Sequence, residues 1–158
     1  MEPVSRSRPG GFSLIEIVLA IGVISFAIVA IMGMFPVALR SAQESQRETR
    51  AALIAQDIYS NIGSVSGTNR VIPIGTNSWV PVNLATTNSF SLGYDQDGNI
   101  LGSGTPVGAI FRADVSVSPD NPNAGISKVQ TIVASPAAAP TNSYSRSTFT
   151  FVTLFSRN

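Results

Sequence analysis

From Ile17 to Leu39 the sequence runs for 23 residues without a charged side chain. As an α-helix such a run is about 35 Å long, enough to cross the roughly 30 Å hydrocarbon core of a bilayer. This run constrains the chain more than any other feature. A stretch this long and this apolar has no stable place on the surface of a water-soluble domain. It must be covered by lipid or by other apolar helices. Arg6 and Arg8 precede it and a large polar segment follows, so the charge rule expects the N-terminus in the cytoplasm and the rest outside.

One carboxylate, Glu16, sits at the start of the run. Charged groups at the edge of a membrane helix are costly and are retained for function or for interfacial placement. Its surroundings read Gly11-Phe12-Ser13-Leu14-Ile15-Glu16, after a basic segment and before the unbroken apolar helix. This pattern resembles the processing motif of the type IV pilin and type II secretion pseudopilin superfamily. In that motif a glycine precedes the cut, phenylalanine opens the mature chain and glutamate stands fifth. The resemblance covers roughly residues 6–40, with only architectural similarity beyond, and extends loosely to the prepilin-type proteins of the Verru_Chthon cassette group. It implies cleavage between Gly11 and Phe12 by a prepilin peptidase and N-methylation of Phe12. It also implies an assembly role for Glu16, pairing with the Phe12 amine of another subunit or of its own. Ser25-Phe26-Ala27 fits an ordinary signal-peptidase site formally. It lies inside the apolar run, where that enzyme does not cut.

Gly22, Gly33, Ala20, Ala27 and Ala30 are small residues of the kind that let membrane helices approach closely, although such residues are also routine in membrane helices. Pro36 lacks a backbone donor and is expected to break, kink or loosen the helix. Past it, Ala51, Ile54, Ala55, Ile58 and Ile62 fall on one helical face, and Arg40, Gln43, Glu44, Arg47 and Glu48 line a solvated side. Gly63 is the expected C-cap.

From Ser64 onward, Ser, Thr, Asn, Gly and Pro separate short apolar runs, which predicts strands and turns. The expected strands are 71–74, 79–84, 90–94, 99–101, 109–117, 126–134 and 148–155. The first two, holding Pro73 and Pro81, read as edge strands or extended loop. Residues 119–125 and 136–142 read as connections. The last strand is apolar on both faces and is expected to be buried, and the last three are expected to form an antiparallel meander on the helix. The fold class is therefore α+β and pilin-like, a long N-terminal helix packed by its second half on a small antiparallel sheet. The organisation is a leader at 1–11, a helix at 12–62 divided near residue 39, and a β-rich head at 63–158.

Composition excludes several chemistries. The chain has no cysteine and no histidine, so disulfides, thiol chemistry and both Ser-His-Asp and Cys-His catalysis are ruled out. Asp114 shares strand parity with Arg112 and reads as an ion pair. Trp79 reads as partial core or a surface contact. No enzyme is expected, and no cofactor. Asp95, Asp97 and Asn99 around Gly98 are the residues that would hold calcium if it bound. They lack the further ligands and terminal glutamate of a calcium loop, and a polar hairpin turn is the better account of them. Without residues 1–11, eight of the ten basic and eight of the nine acidic residues remain, and a neutral chain is a poor nucleic-acid binder.

The resemblance thus implies a non-enzymatic minor pilin or pseudopilin, a single-pass protein of the cytoplasmic membrane that ends in a periplasmic or cell-surface fibre. Its implied partners are a prepilin peptidase, an assembly ATPase, an inner-membrane platform protein and sibling pilin subunits. The alternatives are a minor pilin that binds DNA, a surface or a secreted substrate, and a plain signal-anchored β-domain. The sequence lacks the C-terminal cysteine pair of many major pilins, so roles assigned to their disulfide-bounded loop do not carry over.

Overall fold

The computed structural model describes residues 11–75, 78–121, 125–139 and 146–157. Residues 1–10 of the expected 1–11 leader lie outside them. One helix, α1 (Leu14–Gly63), is followed by seven strands: β1 (Asn69–Pro73), β2 (Trp79–Asn83), β3 (Asn88–Tyr94), β4 (Ile100–Ser103), β5 (Phe111–Asn121), β6 (Ile126–Ser135) and β7 (Ser147–Ser156). The architecture is the expected α+β one. The chain divides into two compact units, up to Gln43 and from Glu44 onward.

In the second unit the strands form two antiparallel sheets. β1 and β2 make a two-stranded ribbon. The other five take the order β4-β3-β5-β6-β7, which contains the expected β5-β6-β7 meander. Alternation decides the core. Phe111, Ala113, Val115 and Val117 of β5 and Val129 and Val133 of β6 are buried. The stripe Ile54, Ile58 and Ile62 of α1 packs against them, with Ile72, Val82, Leu84, Leu92 and Tyr94 closing the sides. Each large aliphatic side chain buried here contributes about 1.5–3 kcal/mol relative to exposure.

The C-terminal half of α1 follows β7. Glu44 Oε2 accepts a hydrogen bond from Ser147 Oγ at 3.1 Å. At the other end Tyr59 meets Phe155 with ring centroids 6.2 Å apart, and Phe155 also reaches Gly63. From 44 to 63 a helix rises about 28 Å, and from 147 to 155 a strand extends about 27 Å, so the two elements match in length.

Several expectations need correction. The backbone is helical straight through Pro36, so the expected helix break is absent. Pro36 removes only the bond to the Met32 carbonyl, and the helical bonds on either side persist. Gly63 is the last helical residue and does not take a left-handed cap conformation. The helix end is closed by other groups: Ser64 N–H and Oγ–H donate to the Ser60 and Asn61 carbonyls, and Arg70 donates to Ile62 O at 2.7 Å. β7 is not buried. It is the terminal strand, with Phe149, Phe151 and Phe155 half-buried and Val152 and Leu154 exposed, because nothing pairs with its outer side among the described residues. β5 continues through Pro119 to Asn121, where a connection was expected. The proline is tolerated because β3 pairing stops at Val117, leaving that side of the strand without a partner. Trp79 is 63% exposed and is not part of the core.

Arg70 has no signature in the sequence, yet it joins three elements. Its guanidinium donates to Gly67 O at 2.9 Å, to Ile62 O at 2.7 Å and to Ser156 O at 2.7 Å, and lies 5.5 Å over the Phe155 ring. Burial lowers its pKa from the ordinary value. Arg70→Ala is expected to lower unfolding free energy by about 3 kcal/mol, because charged hydrogen bonds contribute roughly 1.5–3 kcal/mol each without adding fully. Urea unfolding of the full chain in detergent, followed by near-ultraviolet circular dichroism, checks this.

The Tyr94 hydroxyl is buried without a hydrogen-bond partner. Burial, and secondarily the Asp57 charge, push its pKa up. Tyr94→Phe is accordingly expected to raise stability by up to about 1 kcal/mol. The folded-state pKa lies above the unfolded value, so this contribution is intact below about pH 10. It is lost as pH rises further. The variant should therefore lose less stability than wild type in alkaline unfolding curves.

Candidate functional site

The candidate site is the N-terminal end of α1 and the apolar surface that follows it. Gly11, Phe12 and Ser13 are exposed and non-helical. Ser13 opens the helix: its carbonyl accepts from Glu16 N–H at 3.0 Å and from Ile17 N–H at 3.2 Å. The Gly11–Phe12 bond therefore lies in irregular, exposed backbone two residues before the first helical position. Gly11 has no atom near its α-carbon that would crowd a side chain there, and Phe12 is 82% exposed.

Glu16 occupies the first turn of α1. With Ser13 as N-cap, it stands at the third helical position. Ser-x-x-Glu is the spacing of a capping box, and a carboxylate in a first turn is also favoured by the helix dipole. That spacing is legible in the sequence, but among the described residues no side-chain bond between Ser13 and Glu16 closes the box, and the helix dipole alone favours the carboxylate at this position. The Glu16 carboxylate has no hydrogen bond or ion pair among the described residues.

Beyond Glu16 the helix is apolar on every side. No residue from Leu14 to Leu39 is buried, and Phe12, Leu14, Phe26 and Met34 are 82%, 81%, 79% and 75% exposed. The segment is long and apolar enough to cross a membrane. Ser25 turns its hydroxyl back onto the Ile21 carbonyl at 2.8 Å, the arrangement that hides a hydroxyl in an apolar medium. A β-carbon placed at Gly22 or Gly33 would meet nothing within 4 Å among the described residues.

The structure brings the three calcium candidates together, but as a closed turn. Asp95 Oδ1 accepts from Asp97 N–H at 2.9 Å and Asn99 N–H at 2.8 Å, and Asp95 Oδ2 accepts from Asn99 Nδ2 at 2.9 Å. The Asn99 side-chain donor lowers the Asp95 pKa most, assisted by the backbone donors. Gly98 takes φ +90°, a conformation that L side chains rarely adopt. Asp95 thus acts as the turn's own acceptor, and Asp97 stands apart with only its backbone engaged, including a bond from Arg50 to its carbonyl at 3.3 Å. No cluster of three His, Cys, Asp or Glu residues suited to a metal occurs among the described residues.

On the outer face of the sheet Arg112 and Asp114 form the expected ion pair, at 2.7 Å. Sequence reasoning missed its third member. Arg146 lies 3.9 Å from Asp114 and donates to the Ala139 carbonyl at 3.1 Å, fastening the approach to β7.

No protein-family model, curated protein or solved structure matches this chain.

Asp95 is ionised more readily in the folded turn than in the unfolded chain. Its contribution is present above the ordinary carboxylate range and is lost as pH falls through the lowered folded pKa. Asp95→Ala should therefore lower the amide protection factors of residues 97–99 at neutral pH and abolish the fall in protection expected for wild type as pH drops. Hydrogen exchange measured between pH 2 and 7 tests both.

Proposed function

We propose that this chain is a non-enzymatic structural subunit of a type IV pilus or type II secretion pseudopilus, anchored in the cytoplasmic membrane and assembled through α1. The observation that carries the reading is the first helical unit: apolar all round, led by an unpartnered carboxylate, with the Gly11–Phe12 bond exposed just before it.

The mechanism follows from solvation. A prepilin peptidase acting on the cytoplasmic side removes the leader and leaves α1 in the bilayer. The new Phe12 amine then lies four residues from Glu16. In a bundle of apolar helices neither charge is hydrated, and an isolated carboxylate there is strongly disfavoured. Pairing the amine of one subunit with Glu16 of another neutralises both and sets the axial register. As the helix leaves lipid, its side chains are reburied against neighbouring helices, so apolar surface stays out of water throughout. The N-terminus faces the cytoplasm and the β-rich unit lies outside.

Co-expression with a prepilin peptidase should yield a chain that begins at Phe12 and carries one added methyl group, read by intact mass and N-terminal sequencing. Gly11→Val should leave the leader uncut. Glu16→Ala should be cut normally yet fail to enter sedimenting fibres. A chain that still begins near Met1, or one cut beyond Ala27, would sink the proposal.

A further inference from the structure

The five-stranded sheet ends in β4 on one side and β7 on the other. Each end carries exposed apolar side chains and a charge with no partner. Beside β4, Leu101 and Val107 are exposed, and Leu101 reaches over Gly108, so strand and following turn share one surface. The Asp97 carboxylate lies at the start of that edge, unpaired among the described residues. At the β7 edge Val152 and Leu154 are exposed. Lys128 of β6 sits directly across from Leu154, and its ammonium is likewise unpaired among the described residues.

Among the described residues β7 is also an edge strand with no strand paired to its outer side, and Arg70 reaches that side at the Ser156 carbonyl. The strand's ten residues contain no charge, proline or glycine, and its pairing with β6 runs from Ser135↔Ser147 to Ile126↔Ser156 without a bulge. Natural sheets normally protect such an edge with at least one of those devices, since it offers unpaired backbone to any other strand. Strand parity locates the open groups. Arg157 N–H points inward to Gly125 O, while Ser156 O points outward to Arg70. The backbone of Val152 and Leu154 therefore also points outward.

Direction distinguishes the two edges. Successive antiparallel pairings from β7 through β6, β5 and β3 make β4 run the same way as β7. Asp97 lies at the beginning of β4, and Leu154 and Lys128 lie near the end of β7. The two patches thus occupy opposite edges and opposite ends of one sheet. A second copy in the same orientation, shifted along the strands, sets the start of its β4 beside the end of the first copy's β7. Apolar side chains then meet apolar ones, and Asp97 meets Lys128.

We propose that this contact joins successive copies of the chain, with Leu101 and Val107 of one packing on Val152 and Leu154 of the next and Asp97 pairing with Lys128. The contact is heterologous, so it repeats without closing and builds an open array. It rests on the prepilin reading for the shared orientation of the copies.

The chain has no native cysteine, so introduced ones report without background. Full-length Leu101→Cys/Leu154→Cys, co-expressed with the assembly machinery and oxidised in membranes, is expected to give a ladder of disulfide-linked dimers, trimers and larger species. Leu101→Cys and Leu154→Cys on separate chains should together give dimers only, and each alone none. Asp97→Lys in the double-cysteine chain should lower cross-linking about two- to five-fold, the range of an exposed ion pair, and adding Lys128→Asp should restore it. Dimers from Leu154→Cys alone would mean a self-pairing edge and overturn the contact. Cleaved chains that form sedimenting fibres without any ladder would overturn it too, while leaving the prepilin reading intact. Failure of wild type to be cleaved and to form fibres would instead remove that reading, and the contact with it.

Discussion

Everything in the second unit depends on burial of one isoleucine stripe. Ile54, Ile58 and Ile62 lie one helical turn apart and belong to the core cluster that the inward faces of the sheet build. Without them the inward faces of β5 and β6 would be exposed to water, and the sheet would have nothing on which to close. The stripe also fixes direction, because the helix must lie along the sheet over about the length of β7. Glu44 and Ser147 mark one end of that overlap, and Tyr59, Gly63 and Phe155 mark the other.

The two halves of the same helix present different surfaces. Its second half buries one face and presents charges on the other. Its first half has no polar face, and its exposed apolar surface is stable only where water is absent. Between Leu39 and Arg40 the side chains change from wholly apolar to mixed, and the backbone continues without interruption. The change of surface is written in side chains alone. Pro36 did not need to break the helix for the two halves to differ.

The polar anchors of the head show how few specific contacts a small sheet requires. Arg70 closes the helix end, holds β1 near β7 and stacks on Phe155. Ser127, buried in β6, donates to the Leu84 carbonyl and ties the ribbon's end to the main sheet. Gly93 allows Pro106 to cross β3 at a distance that any β-carbon would obstruct. Each is a single residue of ordinary type acting between segments distant in sequence.

Local pattern sufficed for the long helix, its division near Leu39, the isoleucine stripe, the strand order along the chain and the β5 alternation. These depend on local periodicity, and periodicity is set by backbone geometry. It also displayed the Gly11-Phe12-Glu16 arrangement, since that site lies within six consecutive residues. Which strand lies at the edge follows only from the assembled sheet. Ser147–Ser156 reads as a buried strand because both its faces are apolar or small, but exposure depends on whether a sixth strand is present, and no local pattern encodes that. Arg70 and Arg146 were equally invisible, because the carbonyls and carboxylate they bind are assembled from remote segments by the fold. The capping-box spacing of Ser13 and Glu16 was local and legible. The Asp95 turn resolved only when the backbone placed its own N–H groups around the carboxylate, turning a set of oxygen ligands into a satisfied acceptor.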